Sequence, residues 1–244
     1  MGAFANFEPC RCEAVHPLPA VPTAVALVLL VGGAYLLGSV PTALLVARRF
    51  GIDIRQHGSG NVGSTNAARV LGWRWGLLVQ AVDIAKGALA AGILPTLLPS
   101  APALGVGFLA GIAATAGHCW SPWANFRGGK GVNTAAGALL VLAPTELLFS
   151  VGAFALVLLL SGYVSLGSLT AAVVVPLSVG LRHAVGALPS TDFPWMLAGS
   201  LVLSSIIVLR HRSNIERLRR GTEYRFERLW LLGWIRQLRV GQPR

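Results

Sequence analysis

The sequence predicts an all-α integral membrane protein, with seven transmembrane helices and its polar motif loops on the cytoplasmic face. Three observations carry that expectation. Hydrophobic residues make up 54% of the 244 residues and charged ones only 12%, too little polar surface for a globule in water. The apolar residues gather in seven runs, and the basic residues crowd into alternate connections between them, as the positive-inside rule describes for cytoplasmic loops. A formal net charge of +11 would suggest nucleic acid in a soluble domain. Here the arginines flank apolar runs and no nucleic-acid motif accompanies them, so the expected partners are membrane lipids and no nucleic acid.

Residues 1–20 read as an extracytoplasmic tail. With Glu8 and Glu13 and no basic n-region it is not a secretory signal, and the run that follows is too long for one. Cys10, Cys12, Glu13 and His16 lack the second ligand pair of a zinc site, so no metal is expected. Runs one to three cover residues 21–47, 75–98 and 103–120, close to or above the roughly 20 helical residues that a bilayer core needs. Runs four and five, 132–142 and 146–160, are short and divided by Ala143-Pro144. They are either a bent re-entrant pair or two tilted helices, and two are adopted. Runs six and seven, 164–181 and 195–209, complete a membrane domain over 21–212. The rest, 213–244, is a basic cytoplasmic tail. In it Phe226, Trp230, Trp234 and Leu238 recur every fourth residue with Arg225, Arg228, Arg236 and Arg239 between them, the pattern of an interfacial amphipathic helix.

Seven crossings put loops 48–74 and 125–131 and the tail on one side. That side holds Arg48, Arg49, Arg55, Arg69, Arg74, Arg127, Lys130 and all ten arginines from Arg210 onward, against Arg11 and Arg182 on the other. The amino terminus is therefore expected outside and the carboxyl terminus in the cytoplasm. Within the runs, Gly107 and Gly111 form a G-x-x-x-G packing step and Cys119 reads as packing. Asp83 and Lys86, three residues apart on one helical face, read as an internal ion pair with a structural role, because a lone charge in a membrane segment costs several kcal/mol.

Three polar clusters interrupt this pattern, all on the same side. In Gly58 to Arg69, alternating glycines allow a tight turn with convergent amides, Ser59, Asn61, Thr65 and Asn66 offer neutral hydrogen bonds, and Arg69 adds a fork suited to phosphate oxygens. In Phe126-Arg127-Gly128-Gly129-Lys130-Gly131, glycines around a lysine allow close backbone approach to phosphate, although the spacing is not that of a Walker loop. His118, just upstream, reads as a satisfied helix-end histidine. In Arg210-His211-Arg212-Ser213-Asn214-Ile215, His211 and Asn214 share a helical face, while Arg210 and Arg212 have the position of stop-transfer charges.

Taken in order, these clusters resemble the bacterial acyl-phosphate:glycerol-3-phosphate acyltransferase family, the PlsY type. The resemblance runs from Gly38-Ser39-Val40-Pro41 through Gly51-Ile52-Asp53-Ile54-Arg55, the two glycine clusters and Tyr163-Val164-Ser165-Leu166-Gly167-Ser168 to Gly221-Thr222-Glu223. Ser64 stands where that family commonly has alanine, and Arg127 where it has lysine. The resemblance implies transfer of an acyl chain from acyl phosphate to the first hydroxyl of glycerol 3-phosphate in the bacterial inner membrane, giving lysophosphatidate and inorganic phosphate without metal or cofactor. It implies catalytic roles for Ser59, Asn61, Arg69, His211 and Asn214. Substrate binding falls to Thr65, Asn66, Gly128, Gly129, Lys130 and Gly131, and a structural role to Glu223. The soluble enzyme that makes acyl phosphate becomes an expected partner. The hydroxyl proton goes either to His211 or to a phosphate oxygen of the substrate, the latter being the route associated with the family. From another class, a phosphate or glycerol-phosphate transporter also needs anion sites among glycine-broken helices, but such sites usually lie at the midplane between inverted repeats, and no repeat is found.

Overall fold

The computed structural model describes residues 23–97 and 102–226, and every regular element among them is helical. The first apolar run is two helices, α1 (Thr23–Ser39) and α2 (Thr42–Arg48). The break falls at Val40-Pro41, since proline has no N–H to donate and disfavours helical geometry in the residue before it. A short amphipathic helix, α3 (Ser64–Leu71), follows the first polar loop. Then come α4 (Trp73–Ile93), α5 (Ala103–Cys119), α6 (Val132–Leu142), α7 (Pro144–Ser161), α8 (Val164–Ala184), α9 (Phe193–Arg210) and α10 (Arg212–Arg219). Pro144 starts α7 in its first turn, where its missing N–H costs nothing, so Ala143-Pro144 separates two helices.

Six segments among the described residues are long and apolar enough to cross a bilayer: Thr23–Arg48, Trp73–Leu97, Ala103–Ala124, Pro144–Ser161, Val164–Ala184 and Phe193–Arg210. Where the sequence predicts seven spans, the seventh apolar helix, α6, has only 11 residues. At 1.5 Å per residue it covers roughly half of a 30 Å hydrocarbon core.

The helices approach closely because their interfaces are built from small residues. A methyl group on Gly38 would strike the Ala114 carbonyl, and one on Gly117 the Tyr35 carbonyl, which ties α1 to α5 from both sides. Gly87 and Gly137 meet the carbonyls of Thr134 and Ile84 in the same reciprocal way between α4 and α6. Gly107 and Gly111 face Leu142 and Ala138 of α6. Larger side chains point the other way: Val28, Leu29, Leu148, Leu177 and Leu181 are exposed on the outside of the bundle, as a lipid solvent allows.

The two ends differ in chemistry. At one, buried Glu146 at the start of α7 pairs with Arg182 near the end of α8, and Arg182 also donates to the Ala187 carbonyl. At the other, Ser64, Asn133, Arg210 and the segment 222–226 come together, with the Phe226 N–H donating to the Gly162 carbonyl. The amphipathic pattern after Phe226, and Cys10 and Cys12, lie outside the described residues.

Candidate anion site at the polar end

The first cluster is a loop folded over one asparagine. Gly58 and Gly60 take left-handed backbone angles (φ 59° and 69°). Beneath them Asn66, fully buried, accepts from the Ser59 N–H (2.9 Å) and donates to the carbonyls of Ile54 (3.2 Å) and His57 (3.0 Å). Its amide is thus spent on the loop, and it is not part of the cavity wall. Ser59, Asn61, Thr65 and Arg69 are. Arg69 is exposed and lies over the rings of Tyr224 (4.8 Å) and Phe226 (5.3 Å), with no hydrogen-bond or ion-pair partner among the described residues.

In the second cluster, Gly128 and Gly129 turn their groups away from the cavity. Their N–H groups donate to the carbonyls of Cys119 and His118 at the end of α5 (both 3.1 Å). Their carbonyls accept from Arg210, Nε to Gly129 and Nη2 to Gly128 (both 3.0 Å). A methyl on Gly128 would meet the His118 carbonyl, and one on Gly129 the His118 ring, so both glycines are needed for packing. Lys130 and Gly131 do line the cavity. Arg210, which at sequence level has the look of a topology charge, is a forked clamp on this loop. Nothing local to its position distinguishes the two roles.

The third cluster supplies acceptors. His211 Nδ1 lies 2.8 Å from the Ile207 carbonyl; a carbonyl only accepts, so Nδ1 carries the proton and Nε2 a lone pair. Asn214 Nδ2 donates to Glu223 Oε1 (2.8 Å), which leaves Asn214 Oδ1 buried without a partner among the described residues. Glu223 also accepts from Arg217 Nε (2.8 Å), joining α10 to the segment 222–226. That segment closes over the site, with Tyr224 Oη donating to the Gly58 carbonyl (3.2 Å). His211, Asn214 and Glu223 all line the cavity.

The cavity they share measures about 420 Å³. Three helix amino termini open on it, through Ser64 and Thr65 of α3, Val132 and Asn133 of α6, and Val164 and Ser165 of α8. First-turn N–H groups have no intrahelical partner and sit at the positive end of the helix dipole, so this convergence favours an anion. Asn133 Nδ2 donates to Ser64 Oγ (2.8 Å) and locks two of the three termini together. Cations are in surplus: burial, then the charges of Arg217, Arg210 and Arg69, bring Lys130 down to about 8, against the opposing pull of Glu223. Burial, then the charge of Lys130, hold His211 neutral at about 4.

Behind Lys86 lies a part of the wall that sequence reasoning left out. Asp83 and Lys86 form the expected ion pair (2.8 Å), but Lys86 Nζ also meets His118 Nδ1 (2.8 Å), and both Asp83 and His118 line the cavity. A second cavity of about 400 Å³, walled by apolar side chains such as Leu139, Leu147, Val151, Val175 and Leu203, adjoins the first. Gln80, Val132, Asn133, Phe154 and Ser168 line both.

Residues 28–221 match the family described as glycerol-3-phosphate acyltransferase. The glycerol-3-phosphate acyltransferase of Salinibacter ruber is 46% identical over 202 residues, 78% of this chain and 87% of that protein. That of Chlorobaculum tepidum is 41% identical over 218 residues, 79% and 93% of the two chains. Among solved structures, the glycerol 3-phosphate form of PlsY (YgiH), an integral membrane glycerol 3-phosphate acyltransferase, aligns with a TM-score of 0.72 at 36% identity, covering 82% of this chain and 96% of that one. Its lysophosphatidic acid form aligns with a TM-score of 0.72 at 35% identity, covering 85% and 98%.

Proposed function

The chain belongs to the glycerol-3-phosphate acyltransferase family, and from that premise we propose that it acylates the first hydroxyl of glycerol 3-phosphate with acyl phosphate as donor. It is a multi-pass membrane acyltransferase. The observation that carries the choice of donor is the adjacency of the two cavities: a chamber lined by Arg69 and Lys130, with room for phosphate groups, shares a wall with an apolar one suited to an acyl chain. An acyl phosphate bridging the two places its carbonyl at their junction, beside Asn133 and Ser168.

In this reading Arg69, Lys130 and the three helix termini screen the phosphates, while Ser59, Asn61 and Thr65 orient them through neutral hydrogen bonds. His211 Nε2 and Asn214 Oδ1 accept from the glycerol hydroxyls. The attacking hydroxyl oxygen bonds to the acyl carbon, the carbon–oxygen bond to phosphate breaks, and phosphate leaves. A histidine held at about 4 is a poor base at neutral pH. A phosphate oxygen, with a second pKa near 6, is the better proton acceptor, so His211 aims the hydroxyl and the departing phosphate takes its proton. The acyl phosphate reaches the site from the soluble enzyme that makes it.

The same reading includes seven crossings of residues 21–212, the amino-terminal tail 1–20 outside, and the basic tail 213–244 in the cytoplasm of a bacterial inner membrane. Its support is that α6 and α7 begin and end at opposite chemistries: Asn133 meets Ser64 at the polar end, Glu146 meets Arg182 at the other, and Gly162 returns to Phe226. An impermeant thiol reagent should label Cys10 or Cys12 in intact cells; labelling only after lysis would reverse the orientation.

Purified protein should release phosphate from palmitoyl phosphate only when glycerol 3-phosphate is present, with lysophosphatidate as co-product. Release that ignores glycerol 3-phosphate, or acylation that requires a different donor, would overturn the assignment.

A further inference from the structure

We propose that His118 contacts substrate directly, donating its Nε2–H to a phosphoryl oxygen in the polar cavity, and that Lys86 and Asp83 hold the ring in the tautomer that makes it a donor. Lys86 fixes the tautomer. Its ammonium has three protons, and the structure gives each an acceptor: Asp83 Oδ1 at 2.8 Å, the Val40 carbonyl at 3.1 Å and His118 Nδ1 at 2.8 Å. An ammonium only donates, so Nδ1 must accept, and the ring proton resides on Nε2. Asp83 Oδ1 lies 3.6 Å from Nδ1, too far for a hydrogen bond that would compete. Thr42 Oγ1 holds the same carboxylate from α2 (3.2 Å). The three side chains are almost wholly buried, at 2%, 4% and 9% exposure for Asp83, Lys86 and His118, so the arrangement is fixed before any ligand arrives.

The other ring nitrogen has no such partner. No group among the described residues hydrogen-bonds Nε2, which lies against Gly129 where a methyl would strike it. His118 belongs to the cavity wall between the loop that carries Val62 and the one that carries Lys130. The ring is held rigidly and lines the cavity, so this donor is free to meet an acceptor that enters it. The cavity already concentrates cations and helix termini that select an anion, so the acceptor that fits is a phosphoryl oxygen. A neutral ring adds what Lys130, a flexible point charge, lacks: a fixed direction. Together the two histidines have opposite polarity, His118 presenting a proton and His211 a lone pair.

This inference rests on the reading of the cavity as the phosphate chamber of the transferase. Either glycerol 3-phosphate or acyl phosphate could supply the oxygen, and kinetics separates them. His118→Phe should raise the KM of the substrate it holds by about ten- to hundredfold, the loss expected for a hydrogen bond to a charged acceptor, with the other KM nearly unchanged. His118→Gln, whose amide N–H reaches toward the same point, should recover most of the loss. A readout independent of turnover comes from the wild-type protein labelled with 15N-histidine. His118 Nε2 should appear as a protonated nitrogen and move on titration with inorganic phosphate, and Lys86→Met should dissolve the single tautomer into a mixture. An unprotonated Nε2, or one that phosphate does not move, overturns the proposal even if His118→Phe fails to fold. So does a His118→Phe protein with both KM values within about twofold of wild type, below the loss of even one charged hydrogen bond. If phosphate moves the resonance but no acyl phosphate is consumed, the donor assignment to His118 stands and the choice of acyl phosphate falls.

Discussion

Two walls of one cavity do different work. The wall from α5 and the Lys130 loop, joined by Arg69 of α3, presents donors and positive charge, with Asp83 of α4 in the same wall neutralised by Lys86; the wall from α9 and α10 presents His211 Nε2 and Asn214 Oδ1, both acceptors. Each polarity is set by the second atom of the same side chain. A carbonyl takes the Nδ1 proton of His211, an ammonium occupies Nδ1 of His118, and a carboxylate turns the Asn214 amide. The difference teaches that the residue type alone does not define a role here. A neighbouring group does, and it sorts the chamber into a side of donors and a side of acceptors.

The strongest test of the donor side is Arg69→Lys. Lysine keeps the charge but loses the planar fork and its stacking on Tyr224 and Phe226, so transition-state stabilisation should drop by about 2 to 4 kcal/mol, comparable to removal of an oxyanion donor. Steady-state kinetics would show it, with Arg49→Lys as the control near wild type; equal damage at Arg49 would dissolve the distinction between clamp and topology charge.

On the acceptor side, His211→Phe should lower kcat by roughly thirtyfold, about 2 kcal/mol for a lost hydrogen bond that aligns the reacting hydroxyl, and leave the KM for glycerol 3-phosphate nearly unchanged. A change in KM instead would make both walls binding surfaces. A smaller effect comes from pH. Lys130 is charged below about 8 and loses its proton as pH rises through that value, so kcat/KM for glycerol 3-phosphate should fall about fivefold between pH 8 and 9. The profile of Lys130→Met should lack this limb. Least of all, Ser64→Ala removes the acceptor of Asn133 and should cost about 1 kcal/mol of stability, read from thermal unfolding in detergent, with modest change in either KM.

Much of this was legible in the chain, for identifiable reasons. Composition and the arginine bias predict a helical membrane protein because the bilayer admits few alternatives. The three clusters are visible because glycine, asparagine and arginine between apolar runs have few other uses. The Asp83–Lys86 pair follows from helical spacing. What could not be read is direction. Asn66 sits in the same motif as Asn61, yet it holds the loop from beneath while Asn61 faces the cavity. Gly128 and Gly129 resemble a phosphate cradle, yet their amides cap α5 and their carbonyls bind Arg210. His118 looks satisfied by its place at a helix end, and one of its nitrogens is.

The sequence by itself determined the solvent this protein lives in, the number of its apolar runs and the three places where polar chemistry collects, because those depend on local composition and on periods of a few residues. Only the tertiary structure decided which arginine clamps a loop and which faces a cavity, which asparagine atom is left free, and which nitrogen of each histidine carries a proton. Arg210 and Gly128 are 82 residues apart, and Lys86 and His118 are 32 apart. A hydrogen bond between residues that far apart depends on how helices pack, and packing is decided by the whole set of glycine-scale contacts across α1, α4, α5 and α6 at once.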